Sequence, residues 1–172
     1  DCLGNRGRAS VQVQLSDVGM YQEVLKMVEC SASGATGIVH SSGVLVDALL
    51  SNQTQGGLQQ VWGPKAHAAW SLHQANPDHE LQMFALFSSV SALIGLAGQA
   101  NYAAANACLD GLARLRQEQG LTGTSVQWGA WAGAGMAIES GVLAGLEQQG
   151  MGAVTAQQGL CALELAVSDV VG

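Results

Sequence analysis

A chain of 172 residues, 48% hydrophobic and only 11% charged, is long enough to bury one sizeable core and too apolar to stay disordered. Thirteen acidic against six basic side chains, a net charge of −7, exclude a nucleic-acid surface, which requires clustered Lys and Arg. No apolar run reaches the roughly 18 residues of a membrane span, and the opening "DCLGNRGRAS" lacks the apolar segment of a secretion signal.

In chain order, "VQVQL" at residues 11–15 predicts a strand, and "YQEVLKMVEC" a helix with Val24, Leu25 and Val28 on its apolar side. "GIVHSSGV" is a second short apolar run that ends in small residues. Helical sequence follows through "LQQVWGPKAHAAWSLHQ", in which Pro64 is expected to open a new helix at its first turn. "QMFALFSS" predicts a buried strand. "NYAAANACLDGLARLRQEQG" predicts a long helix, with Arg114 and Arg116 near its end and Gly120 as its stop. "TSVQWGAW" predicts a further strand; a Gly-rich tail then carries amphipathic stretches around 142–148 and 156–167. Near-continuous apolar strands alternating with helices indicate an α/β, doubly wound, Rossmann-like parallel sheet covered on both faces.

Such sheets bind ligands beyond the carboxyl ends of their strands, where this chain has "HSSG", "SSVS" and "WGAW". The G-x-G-x-x-G turn that opens a dinucleotide fold is absent: "GATG" at Gly34 and "GAGMA" from Gly133 have the wrong spacing. A dinucleotide reading therefore expects the first βαβ to lie before Asp1. It also expects residues 1–172 alone, as a partial domain, to bind cofactor weakly and to aggregate.

The remaining chemical residues read blandly one by one. Cys2, Cys30, Cys108 and Cys161 contain no C-x-x-C pair, which favours free thiols in a reducing, cytoplasmic setting over zinc or a disulfide framework. His67, His73 and His79 fall six apart, off any common helical face, and read as solvated. Trp62, Trp70, Trp128 and Trp131 read as core or pocket wall, Asp78 and Glu80 as a solvated loop. Taken singly, Tyr102 would be a packed aromatic, Lys65 a surface cation and Ser89 a cap.

Together the last three read differently. Tyr102 and Asn106 are four apart and share one helical face. Ser89 ends a strand that leads to the same crevice, and Lys65 sits on the preceding helix. A tyrosine can protonate a developing alkoxide if a nearby ammonium lowers its pKa from about 10, while a serine hydroxyl orients the carbonyl. The set suits carbonyl chemistry.

These stretches resemble the ketoreductase domain of modular polyketide synthases, a branch of the short-chain dehydrogenase/reductase superfamily. "VHSSGVLVDALL" is similar to the family's His-(Ala)-Ala-Gly-Val segment with its Leu-Asp-Asp. "LFSSVSALIGLAGQANYAAANACLDGLA" is similar to the active-site block, and "SVQWGAWAGAGMA" to the following strand and lid. The match runs from about residue 11 to 167, with 132–155 as the lid region. Ser89 precedes Tyr102 by 13, and Lys65 precedes Ser89 by 24.

The resemblance implies reduction of a β-ketoacyl thioester on an acyl carrier protein to a β-hydroxyacyl thioester by NADPH, among the other domains of a synthase. It implies Tyr102 as proton donor, Ser89 as carbonyl-orienting hydroxyl, Lys65 as the group tuning the tyrosine and touching the nicotinamide ribose, and Asn106 as holder of the lysine and a relay water. Asp17, with Val18, matches the position at the adenine end of the cofactor. Ser42, Gly43, Lys65, Tyr102 and Gly129 complete the cofactor contacts. Asp47, Ile94, Gln99 and Met136 are the substrate and stereocontrol positions. Leu45-Val46-Asp47 keeps the second aspartate of the B-type motif, and Ile94 replaces the A-type tryptophan, so a B-type D-hydroxyl product is expected, although Ala97 stands where B-type members often carry proline. The alternatives are the reductase of a fatty acid synthase and a non-catalytic reductase-like scaffold.

Overall fold

The computed structural model describes residues 36–77, 81–133 and 150–168. The strand expected at 11–15, the helix after it, the stretch at 142–148, and Asp17, Val18, Asp78, His79, Glu80 and Met136 lie outside the described residues, as do Cys2 and Cys30.

Three strands, β1 (Gly37–His40), β2 (Met83–Ser89) and β3 (Thr124–Trp128), form a parallel sheet in the order β1-β2-β3. Gly37 to His40 stand opposite Met83 to Leu86, and Ala85 to Ser89 opposite Thr124 to Trp128. β1 is joined to β2 through α1 (Gln55–Trp62), a π-helical turn (Gly63–His67) and α2 (Ala68–Ala75); β2 is joined to β3 through α3 (Ser91–Ile94) and α4 (Ala100–Glu118). The last helix is α5 (Ala156–Ser168). Among the described residues, no helix is long and apolar enough to cross a membrane.

Alternation along β2 and β3 divides the sheet into two faces. Phe84 and Leu86 point to one face and pack with Ala69 and Leu72 of α2 and Leu109, Leu112 and Ala113 of α4. Each such fully buried Leu or Phe contributes about 1.5–3 kcal/mol relative to exposure, so this layer is the main core. On the same face, Asp110 of α4 accepts hydrogen bonds from Ser125 Oγ at 2.6 Å and Gln127 Nε2 at 2.8 Å. Thr124 and Trp128 point the other way, where Thr124 Oγ1 donates to the Ala166 carbonyl of α5 at 3.3 Å. Both faces of the sheet thus carry a helix, as the strand pattern requires.

Helix ends follow local chemistry. Thr54 caps α1, its Oγ1 accepting from the Gly57 N–H at 3.0 Å. α4 stops at Gly120, whose φ of +73° suits glycine, and the Leu121 N–H folds back to the Arg116 carbonyl at 2.9 Å.

Three expectations are corrected. Pro64 does not open a fresh helix: it lies inside the π turn, where the helix widens by one residue and the Ala68 N–H reaches back to the Gly63 carbonyl. A proline has no N–H to give the α-helical ladder, and the wider turn accommodates that loss without ending the helix. Arg116 stands in the last turn of α4, near the helix end as expected. It is 0% exposed, donates from Nε to the Thr122 carbonyl at 2.6 Å, contacts His73 Nδ1 from Nη1 at 3.0 Å, and lies 4.0 Å above the Phe84 ring. His73 is accordingly half-buried and partnered rather than solvated. Trp70, finally, is exposed and tilts against His73 instead of joining the core.

Candidate active site

The site is built where β1 and β2 end. The loop after β1 carries Ser41 to Leu49 past the mouth of the sheet and is stitched to the turn before α4. Ala48 N–H donates to the Gly98 carbonyl at 2.8 Å, Asn101 Nδ2 to the Val46 carbonyl at 2.7 Å, and Gln99 Nε2 to Asp47 Oδ2 at 3.1 Å. Gly98 has a φ of +82° and an added Cβ would meet the Ala48 backbone, so the stitch uses a residue that tolerates this conformation. Asn101 also accepts the Tyr102 N–H on Oδ1 at 2.8 Å, satisfying one of the first-turn donors that α4 leaves unpaired. The first turn of α4 is thereby fixed on the loop that faces it.

Tyr102 projects from that turn and is buried with Val61 of α1 and Ala105. Lys65, only 2% exposed, enters from the π turn. Its Nζ donates to the Phe87 carbonyl at 3.0 Å and the Ser42 carbonyl at 3.4 Å and stands 5.2 Å from the centre of the Tyr102 ring. Asn106, 0% exposed, lies one turn along α4; its Nδ2 donates to the Tyr102 carbonyl at 2.8 Å, and its Oδ1 makes no hydrogen bond. Ser89 ends β2, with Oγ accepting the Ser91 N–H at 3.2 Å.

Burial governs the electrostatics. It draws the Lys65 ammonium down to a pKa of about 8. It pushes Tyr102 up, aided by the charge of Asp47; polar contacts from the Asn106 and Ser89 side chains oppose it by favouring the phenolate. The expected depression of the tyrosine by Lys65 is therefore not what this geometry produces. The ammonium lies over the ring and is held by two backbone carbonyls, and desolvation of the phenol decides the direction. Nor does Asn106 hold Lys65 here: its Nδ2 donates within α4, its Oδ1 bonds to nothing, and Phe87 and Ser42 hold the lysine.

The structure brings Ser89, Tyr102, Lys65 and Asn106 to one place, with Ser42 beside them. Asp47 and Gln99 are joined to each other at the rim. Ile94, on α3, is exposed. Gly43 lies half-buried in the loop after β1, and Gly129 follows β3 with nothing within 4 Å of where a side chain would begin. Two residues not singled out by spacing complete the surroundings: Asn101, and His40, whose Nε2 lies 3.1 Å from the Lys65 carbonyl. Asn101 has no signal beyond its place before the tyrosine, whereas His40 stands in the quoted "VHSSG".

Several comparisons bear on this arrangement. The chain is 43% identical over 169 residues to the spectinabilin polyketide synthase system protein NorB of Streptomyces orinoci, covering 96% of this chain and 8% of that protein. It is 52% identical over 95 residues to a phenolphthiocerol synthesis type I polyketide synthase of Mycobacterium tuberculosis whose name marks it inactive, covering 55% of this chain and 6% of that protein. A solved structure of A-type ketoreductases from a modular polyketide synthase superposes with a TM-score of 0.83 at 36% identity, over 91% of this chain and 34% of that one. The chain thus spans a small part of the synthases it matches. The sequence profile of the KR domain matches residues 2–133, and the chain belongs to the KR domain family, with modular polyketide synthases as its relatives.

Proposed function

We propose that the domain containing this chain reduces a β-ketoacyl thioester, carried on an acyl carrier protein within a polyketide synthase, to the β-hydroxyacyl thioester. The observation that carries the reading is the convergence of a buried phenol, a buried ammonium and a strand-end serine beyond β2. That donor set suits the nicotinamide end of a dinucleotide. Lys65 uses two of its three N–H groups on carbonyls, the Asn106 Oδ1 acceptor is buried without a donor, and there is open space beside Gly129. Ser42, Gly43, Lys65, Tyr102 and Gly129, with Asp17 and Val18, would hold the cofactor, NADPH in this reading. When bound, it supplies hydride to the ketone carbon.

The chain's own residues manage the oxygen. Ser89 orients the carbonyl by hydrogen bonding. Tyr102, whose raised pKa keeps it protonated at neutral pH, gives its proton to the oxygen as negative charge develops there. Lys65 places a positive charge beside that exchange, and Asn106 Oδ1 offers an acceptor that would hold a relay water returning a solvent proton to Tyr102. Asp47 and Gln99, paired at the rim, with Ile94 and Met136, would set the face presented, giving the B-type D-hydroxyl product.

Tyr102→Phe in a chain carrying the complete ketoreductase domain should lower kcat at least about a hundredfold on a β-ketoacyl thioester, with cofactor binding by fluorescence titration retained. Near-normal turnover would remove Tyr102 from this role. A wild-type domain that binds its carrier protein but never reduces the thioester would favour the scaffold reading. Chiral chromatography of the product checks the configuration, and a mainly L-hydroxyl product would overturn the B-type assignment.

A further inference from the structure

Lys65 reaches the site from a π turn, not from a regular helix. Such turns insert one residue and change the direction of the side chains they carry, and they recur at functional sites. Here the Ala68 N–H is shared between the Gly63 and Lys65 carbonyls. The Lys65 carbonyl has a second partner outside the helix, His40 Nε2 at 3.1 Å. His40 is the last residue of β1 and is 4% exposed. The ammonium on that same residue meets Phe87 and Ser42 just past the point where the β1–β2 ladder ends, at His40 opposite Leu86. One histidine thus ties the backbone of the catalytic lysine to the sheet from which its side chain takes its bonds.

We infer that His40 is a positioning residue for Lys65: a neutral imidazole, protonated on Nε2, that donates to the Lys65 carbonyl and locks the π turn to the end of β1. The inference rests on the ketoreductase reading for its functional meaning, though not for its geometry. Burial favours the neutral ring, drawing its pKa down to about 4 with help from the Lys65 charge and against the backbone hydrogen bond. A neutral ring with one N–H must choose its tautomer, and its partner among the described residues, a carbonyl, accepts and cannot donate, so Nε2 carries the proton. Among the described residues, the titratable neighbours of Lys65 are His40 from β1 and Tyr102 from α4; Asp47, from the loop after β1, acts on Tyr102. Without the tie, the turn can relax toward solvent, carrying the ammonium away from Phe87 and hydrating it.

The test uses the complete ketoreductase domain and two variants. His40→Phe keeps a ring of similar size without a donor, whereas His40→Gln keeps an N–H at about the reach of Nε2. In His40→Phe we expect kcat to fall at least tenfold, the alkaline limb of its pH profile to move upward, and the Lys65 titration, followed by carbon NMR at Cε, to move toward that of a hydrated lysine. His40→Gln should stay within about threefold of wild type in kcat and keep the wild-type titration. Wild-type kcat and titration in His40→Phe, or equal loss in both variants, would overturn the inference. If His40→Phe does not fold, the wild-type ring decides: nitrogen NMR should show the Nε2–H tautomer, and the Nδ1–H tautomer would overturn it. The Lys65 titration needs no turnover, so a domain without reductase activity would sink the functional reading while leaving this one to stand or fall separately.

Discussion

Two cations are buried against β2, one at each end, and they are held in different ways. At the carboxyl end, Lys65 is bound by two backbone carbonyls. At the amino end, Arg116 is bound by the Thr122 carbonyl, the His73 ring and the face of Phe84. Neither has a carboxylate partner among the described residues. A guanidinium stays charged in any protein setting and spreads its charge over a planar group that stacks well, so Arg116 serves packing and is pinned on three sides. An ammonium is compact and shifts its pKa on burial, so Lys65 is left close to titration at the site proposed for proton transfer. The same helical layer thus carries one cation fixed by packing and another whose charge can respond to pH.

That division can be broken at either end. Arg116→Leu leaves the Thr122 carbonyl and His73 Nδ1 without their donor, and should lower stability by about 2–4 kcal/mol, read as a lower denaturant midpoint. The kcat of the folded fraction should stay within twofold; a tenfold loss at unchanged stability would erase the contrast. Lys65→Met should do the reverse. Its kcat should fall about a hundredfold, roughly 2.7 kcal/mol of barrier, while removal of a desolvated ammonium leaves the melting temperature unchanged or higher.

The responsive cation also leaves a signature in pH. The folded-state pKa of Lys65, about 8, lies below the 10.5 of a solvated lysine. Between those values the unfolded chain binds more protons, so stability should rise as pH increases from about 8 to 10.5, by on the order of 2–3 kcal/mol. Lys65→Met should flatten this rise, whereas Arg116→Leu should retain it. The smallest effect sharpens the packing end. A Cβ on Gly123 would lie 2.9 Å from the Arg116 Cβ and 3.1 Å from the Ala113 carbonyl, so Gly123→Ala should cost about 1–2 kcal/mol with kcat intact.

Much of this was legible in the sequence, for identifiable reasons. Period and apolarity located β2, α4 and β3, because buried parallel strands and a glycine-stopped helix leave local marks. The spacing of Lys65, Ser89, Tyr102 and Asn106 brought the site residues together on paper, since strand ends and helix faces convert sequence distance into direction. What failed depended on contacts between distant residues. His73 read as solvated because nothing local reveals the Arg116 guanidinium folded against it. Pro64 looked like a helix start because a π turn has no composition of its own. The net shift of Tyr102 runs opposite to the expected one because burial, a property of the whole fold, exceeds the polar contacts that favour the phenolate.

The backbone clasp beyond β3 has a further consequence. Val154 N–H donates to the Ala130 carbonyl at 2.7 Å and Ala132 N–H to the Val154 carbonyl at 2.8 Å, while the Trp131 ring occupies the place a side chain at Gly159 would need. Both ends of the intervening chain are therefore anchored beside the strand, whatever lies between them. A side chain at position 159 would have to displace the Trp131 ring, and with it disturb the Trp128 ring 4.9 Å away at the end of β3. The small residue on α5 thus sets how closely that helix can approach the strand end.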